Sequence, residues 1–168
     1  MIDFSGLYRA HAPDLHRFAF YLSGDRALAE DLVSETFIRL WNARARVELP
    51  TVKAYLFTIT RNVYLQHLRA ARRVARASPL VEQIEDQRPS PAREAQARSE
   101  LEATLADLQS LPEIDRAALL LRSEQQLSYD EIAATLGVSS TAARVKVHRA
   151  RLKLAQMRDA ATHQEKKR

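Results

Sequence analysis

Between Leu127 and Leu154 the chain reads LSYDEIAATLGVSSTAARVKVHRARLKL, two amphipathic segments separated by one glycine, and few folds accommodate that pattern. Ser128 with Glu131 three residues on has the form of a capping box, and Ile132 and Leu136 set an apolar stripe on the segment that follows. Gly137 supplies the left-handed conformation that a sharp helix-to-helix turn demands, and Ser139 stands where an N-cap starts the next helix. On that helix Ala143, Val147, Ala150 and Leu154 share one face. Thr141, Arg144, Val145 and His148 fall on the opposite one, the face that in a helix-turn-helix could enter a major groove.

No Asp or Glu occurs from Ile132 to Arg158, while Arg144, Lys146, Arg149, Arg151, Lys153 and Arg158 accumulate. Such a field attracts polyanions. A solvated basic helix packed on an acidic neighbour would have the same composition.

The 168 residues carry a formal net charge of +5, which suits one medium domain or two small ones with an anionic partner. The absence of cysteine excludes disulfides, zinc–thiolate sites and cysteine nucleophiles. His11, His16, His67, His148 and His163 show no metal-ligand spacing, so neither metal nor cofactor is expected. No apolar run approaches the roughly 20 residues of a membrane span, and Met-Ile-Asp-Phe-Ser is no signal peptide. The expectation is a cytoplasmic protein with no direct membrane insertion. Three glycines and abundant Ala, Leu, Arg and Glu argue for an all-α chain.

The first half reads as helices over Phe4–Leu22, kinked or restarted at Pro13, Ala27–Arg44 and Thr51–Arg73. Gly24-Asp25 and Glu48-Leu49-Pro50 supply the breaks. From Ala77 to Ala92 three prolines and few large apolar residues mark a flexible linker. Helices resume over Ala95–Leu108, Pro112–Glu124, Ser128–Leu136 and Ser139–Met157, with a disordered tail from Gln164. The reading is two small helical domains: residues 1–75, a linker over 76–94, a helix-turn-helix domain over 95–158 and a basic tail over 159–168.

Two surfaces of opposite sign stand out in the first half. In the second helix Val33, Phe37, Leu40 and Trp41 form a core stripe, whereas Asp31 and Glu35 lie one turn apart with Glu30 close by. Like charges at that spacing mildly destabilise a helix, so the face is either plainly solvated or met by a basic partner. From Leu49 through Val81 there is no acid at all, and Lys53, Arg61, Arg69, Arg72, Arg73 and Arg76 occur instead. Val52, Leu56, Ile59 and Val63 would be buried, leaving Phe57, Arg61, Tyr64 and Leu68 on the far side. Cations with flat apolar platforms suit single-stranded nucleic acid; a protein interface or a neighbouring helix would account for the same face.

Taken together, AEDLVSETFIRLW from Ala29 to Trp41, AYLFTITRN from Ala54 to Asn62, Leu111-Pro-Glu, and Leu127 to Ala133 with His148-Arg-Ala-Arg151 resemble the extracytoplasmic-function (ECF) sigma factors. The likeness spans nearly the whole chain in the right order. It implies no catalysis, one domain that binds core RNA polymerase and melts the minus-ten promoter element, and another that reads the minus-thirty-five element. Partners implied are the β′ clamp helices and β flap of the polymerase, promoter DNA and an anti-sigma factor. By position, Asp31, Ser34 and Glu35 would face the clamp helices. Asn62 would hold a flipped minus-ten base, with Lys53, Phe57, Arg61, Tyr64, Arg69, Arg72 and Arg73 around it. Ser140, Thr141, Arg144, Val145 and His148 would lie on the minus-thirty-five element, with Arg149 and Arg151 on phosphates.

The chain departs from the family pattern at Ser34 (usually Gln), Gln66 (commonly Asp), Gln126 (often Gly, so the turn would be shaped differently) and Val145 (often a small hydroxyl residue). Two other readings compete. A stand-alone repressor would use the helix-turn-helix without needing the basic aromatic face. A helical nucleic-acid enzyme lacks a metal-ligating pattern at Asp31 and Glu35.

Overall fold

The computed structural model describes residues 3–46, 52–77 and 92–167, with side chains of the last stretch from residue 98 onward. Three helices form the N-terminal half: α1 (Phe4–Ser23), α2 (Arg26–Ala43) and α3 (Val52–Ala77), with a short 3-10 turn over Arg44–Arg46 after α2. Four form the C-terminal half: α4 (Ala92–Ser110), α5 (Glu113–Ser123), α6 (Tyr129–Leu136) and α7 (Ser140–Glu165). No strand occurs among the described residues. The all-α architecture expected from composition is what the described residues adopt. The Glu48-Leu49-Pro50 break and residues 78–91 of the expected 76–94 linker lie outside the described residues; at its two ends the expectation is corrected, since Arg76 and Ala77 belong to α3 and residues 92–94 to α4.

Local chemistry accounts for the helix ends. Asp3 and Asp25 accept from the backbone N–H of Gly6 and Leu28, each at 3.0 Å, relieving two of the donors that every helix start leaves unpaired. At Ser128 the reciprocal box forms, with Glu131 N–H donating to the Ser128 hydroxyl at 3.1 Å and Ser128 N–H to the Glu131 carboxylate at 2.7 Å. Gly137 ends α6 at φ 68°, and Ser139 caps α7 by accepting from Ala142 N–H at 3.1 Å. Two expectations need correction. Helix α1 runs unbroken through Pro13, which is exposed, so the Arg9 carbonyl it leaves without a donor faces solvent. The tail from Gln164 begins inside α7, which continues to Glu165, well beyond Met157.

In the first half Leu15, Phe18, Leu22, Leu32, Val33, Phe37, Leu56 and Val63 are buried between the three helices. A polar pair sits among them: the Thr36 and Thr60 hydroxyls lie 3.0 Å apart, and each also donates to or lies against the carbonyl four residues back, so neither is left unsatisfied. In the second half α5 packs on α7, and α6 on α7, through Leu120, Leu121, Ile132, Ala143, Val147 and Ala150. The halves do not stay apart. Helix α1 packs on α5 and α3 on α6, and the buried residues of both halves join in one apolar cluster.

Candidate functional site

On α7 the outward face is as the spacing predicts: Thr141, Arg144, Val145, His148, Arg149 and Arg151 are exposed and Ser140 is half-buried. The Ser140 hydroxyl donates to the Asp130 carboxylate, tying the first turn of α7 to the start of α6. Lys146 points the other way, 3.8 Å from Asp115 of α5, so one cation of the run does serve an acidic neighbour. Arg144 does not extend freely into solvent. Its guanidinium carbon lies 4.4 Å from the centroid of the Tyr129 ring, which carries the Arg122 guanidinium at 4.5 Å.

Helix α3 departs most from its reading. Phe57 is 1% exposed and meets Phe18 edge-to-face at 5.1 Å, so it is a core residue with no face left for a base. Tyr64 is also buried, its hydroxyl accepting from Arg116 at 3.3 Å. Arg61 is buried against the other half: Nε and Nη2 each donate to one oxygen of Glu113 at 2.8 Å. Lys53 donates to the Gln125 carbonyl at 3.1 Å, and the Thr58 hydroxyl to that of Thr135 at 3.1 Å. Both sides of α3 are therefore covered, one by α1 and α2, the other by α5 and α6. Of the residues assigned to minus-ten DNA, Asn62, Arg69, Arg72 and Arg73 remain on the surface.

The α5 side of this seam carries a buried cation. The Arg116 Nη1 donates to the carbonyls of Leu108, Gln109 and Leu111, at 3.0–3.4 Å, where the end of α4 concentrates partial negative charge. Gln125 bridges the seam as well, its amide donating to the Asp14 carbonyl of α1 at 3.4 Å. Next to it Gln126 has φ 56°, the left-handed conformation that favours glycine. The turn thus keeps the backbone shape a glycine would give it, and carries the strain of a side chain in that position.

On α2 Asp31 and Ser34 are exposed and Glu35 half-buried, accepting from Arg39 Nε at 2.8 Å, while Arg39 also donates to Gln66 of α3 at 2.8 Å. Trp41 is not core. It is 47% exposed beside Ile38 at 55%, braced edge-on by Phe4 at 5.2 Å and overlain by Arg44 at 4.3 Å. Asp31, Glu35, Ile38 and Trp41 therefore form one acidic and apolar surface. Sequence reasoning missed its apolar part because Trp41 shares the helical spacing of the core stripe.

Neither a cluster of three or more candidate metal-ligating side chains nor a helix long and apolar enough to cross a membrane occurs among the described residues.

Helix order, the paired halves and the turn geometry define a sigma-type fold. The sigma-70 region 2 family matches residues 7–74 and the sigma-70 region 4 family residues 102–154. The ECF RNA polymerase sigma factor SigE of Mycolicibacterium smegmatis is 38% identical over 158 residues, covering 92% of this chain, which spans 61% of that protein. EcfG of Rhodopseudomonas palustris is 35% identical over 86% of this chain and 79% of its own length. Among solved structures, the sigma factor RpoE bound to the anti-sigma factor NepR from Bartonella quintana matches with TM-score 0.78 at 28% identity, covering 94% of this chain and 97% of that one. CnrH in complex with the cytosolic domain of CnrY matches with TM-score 0.69 at 26% identity, covering 94% of this chain and 88% of that one. The chain belongs to the ECF RNA polymerase sigma factors, a family of transcription initiation factors that are not enzymes.

Proposed function

We propose that this chain acts in the cytoplasm by binding core RNA polymerase through the α2 surface, placing α3 on the minus-ten element and α7 on the minus-thirty-five element. The observation that carries the reading is the pairing, on one sigma-type chain, of an exposed acidic and apolar face on α2 with an exposed basic reading face on α7. Asp31 and Glu35 meet basic side chains of the polymerase clamp, and Ile38 and Trp41 supply the apolar contact that charge alone lacks. Asn62, whose amide can pair with a base edge, holds a flipped minus-ten base, with Arg69, Arg72 and Arg73 on the adjoining phosphates. Lys53, Arg61 and Tyr64 reach DNA only when α3 parts from α5 and α6. Phe57 stays in the core. On α7, Arg144, Val145 and His148 face bases, Ser140 and Thr141 lie at the groove edge, and Arg149 and Arg151 hold phosphates. An anti-sigma protein is the expected antagonist, since the sigma factor RpoE of Bartonella quintana is found in complex with the anti-sigma factor NepR. No feature of the fold favours a stand-alone repressor.

The test is transcription by purified core polymerase plus this chain. The double substitution Asp31→Lys with Glu35→Lys should abolish holoenzyme formation, and the stability lost with the partly exposed Glu35–Arg39 pair should stay below about 1 kcal/mol. Undiminished core binding by the folded double variant would overturn the assignment of this surface.

A further inference from the structure

We infer that Tyr129 is a positioning residue for promoter selectivity, holding the Arg144 guanidinium aligned for the minus-thirty-five element; this rests on the reading that Arg144 contacts a base. The Tyr129 ring carries two cations, the Arg122 and Arg144 guanidinium carbons lying 4.5 and 4.4 Å from its centroid. Arg122 is itself fixed, because its Nη1 donates to the Leu127 carbonyl at 3.0 Å in the turn that leads into α6. The ring is fixed from below as well. Tyr129 is the first residue of α6, enclosed by the Ser128–Glu131 box, and its neighbour Asp130 accepts from Ser140 at the start of α7. A rigid line therefore runs from α5 through the turn and the ring to the reading helix.

The chemistry of the contact matters more than its strength. A carboxylate holding Arg144 would consume the N–H groups that read a guanine edge, as Asp115 engages the Lys146 ammonium. Among the described residues no carboxylate lies within ion-pair distance of Arg144. A π-face engages the flat side of the guanidinium and leaves its in-plane donors free, the geometry that bidentate reading of guanine O6 and N7 requires. An arginine already held over the ring has less rotamer freedom to lose on reaching the base it matches, which favours that base over the others.

The experiment uses holoenzyme assembled from core polymerase and the full chain, transcribing a promoter library randomised across the minus-thirty-five element. Tyr129→Phe, which keeps the ring, should leave the sequence profile unchanged. Tyr129→Leu should relax discrimination about two- to five-fold at the position Arg144 reads, and at no other. Adding Tyr129→Leu to Arg144→Ala should relax it no further. Tyr129→Met, also ringless, serves the same arm where the Leu variant fails to fold.

A wild-type profile for a folded ringless variant would overturn the inference. So would uniform weakening by Tyr129→Phe, which would make the hydroxyl a phosphate contact, or sharper discrimination by Tyr129→Leu, which would make the ring a trap for Arg144. A wild-type profile for Arg144→Ala would instead remove Arg144 as a base reader, and the role of Tyr129 would fall with it.

Discussion

Arg61 of α3 and Glu113 of α5 form a two-point ion pair across the seam between the helical halves, both N–O distances being 2.8 Å and the side chains 9% and 19% exposed. Of the four arginines expected on the minus-ten element, Arg61 is thus the one the C-terminal half holds. Removing one partner of a deeply buried pair costs about 3–5 kcal/mol; on the proposed function α3 and α5 part and rehydrate Arg61, so Glu113→Ala should cost less than about 3 kcal/mol. Small-angle scattering should show a larger radius of gyration. An unchanged radius together with an unchanged unfolding midpoint would show that the pair does not hold the seam.

Gln126 offers a second check. At φ 56° an L-residue carries a backbone penalty of roughly 1–2 kcal/mol that glycine avoids, offset in part by the greater freedom of glycine when unfolded. Gln126→Gly should stabilise the chain by about 0.5–1 kcal/mol, and Gln126→Val should destabilise it by more than about 1 kcal/mol. Urea midpoints moving in the opposite order would contradict the strain.

His11 gives a pH dependence. Burial first, and then the Lys53 ammonium, hold its pKa below the ordinary 6.5, with Asp14 opposing. A histidine whose folded pKa is lowered stabilises the fold fully above the unfolded value and loses that contribution as pH falls from 6.5 through the folded value. Stability should therefore decline over that window, and His11→Gln should flatten the slope. Parallel pH profiles for wild type and variant would exclude His11 as the group responsible.

Asn62 is exposed on α3, so Asn62→Ala should leave the fold intact. On the proposed function it should impair open-complex formation more than initial promoter binding, by about 1–3 kcal/mol for a lost bidentate base contact. Permanganate reactivity of minus-ten thymines at limiting polymerase measures this. Equal reactivity for wild type and variant would remove Asn62 from melting.

Val145 and Arg149 are both exposed on α7 and should fail differently. Val145 has no hydrogen-bonding group and can favour a thymine methyl, so Val145→Ser should change preference at one minus-thirty-five position. Arg149→Ala should weaken all sequences alike and lower the salt slope by about 1. A sequence-specific defect from Arg149→Ala would reverse the two roles.

The helix-turn-helix was legible in the sequence because its signals are local: the Ser128–Glu131 box, Gly137 and Ser139 each act within four residues of themselves. The seam was not. Phe57, Arg61 and Tyr64 fall on an expected exposed face because periodicity gives the direction of a side chain but not what lies beyond it, and Glu113 and Arg116, the partners of Arg61 and Tyr64, are 52 residues away along the chain. Trp41 failed in the opposite sense, since a position on a core-spaced stripe near a helix end can pass beyond its neighbours into solvent. Tyr129 escaped notice because a ring between two arginines comes from three separate helices or turns, and no spacing rule joins Arg122, Tyr129 and Arg144.

The single apolar cluster that spans both halves also sets a thermodynamic tariff on initiation. On the proposed function the minus-ten strand reaches Lys53, Arg61 and Tyr64 only in the parted form, so its apparent affinity for them is the intrinsic affinity multiplied by the parted fraction: a seam closed in roughly 99 molecules of 100 raises that apparent Kd about a hundredfold. Each substitution that tightens Arg61 to Glu113, or packs α3 more closely on α6, then weakens transcription without touching either partner. A thermally hardened version of this chain would be a poorer initiator.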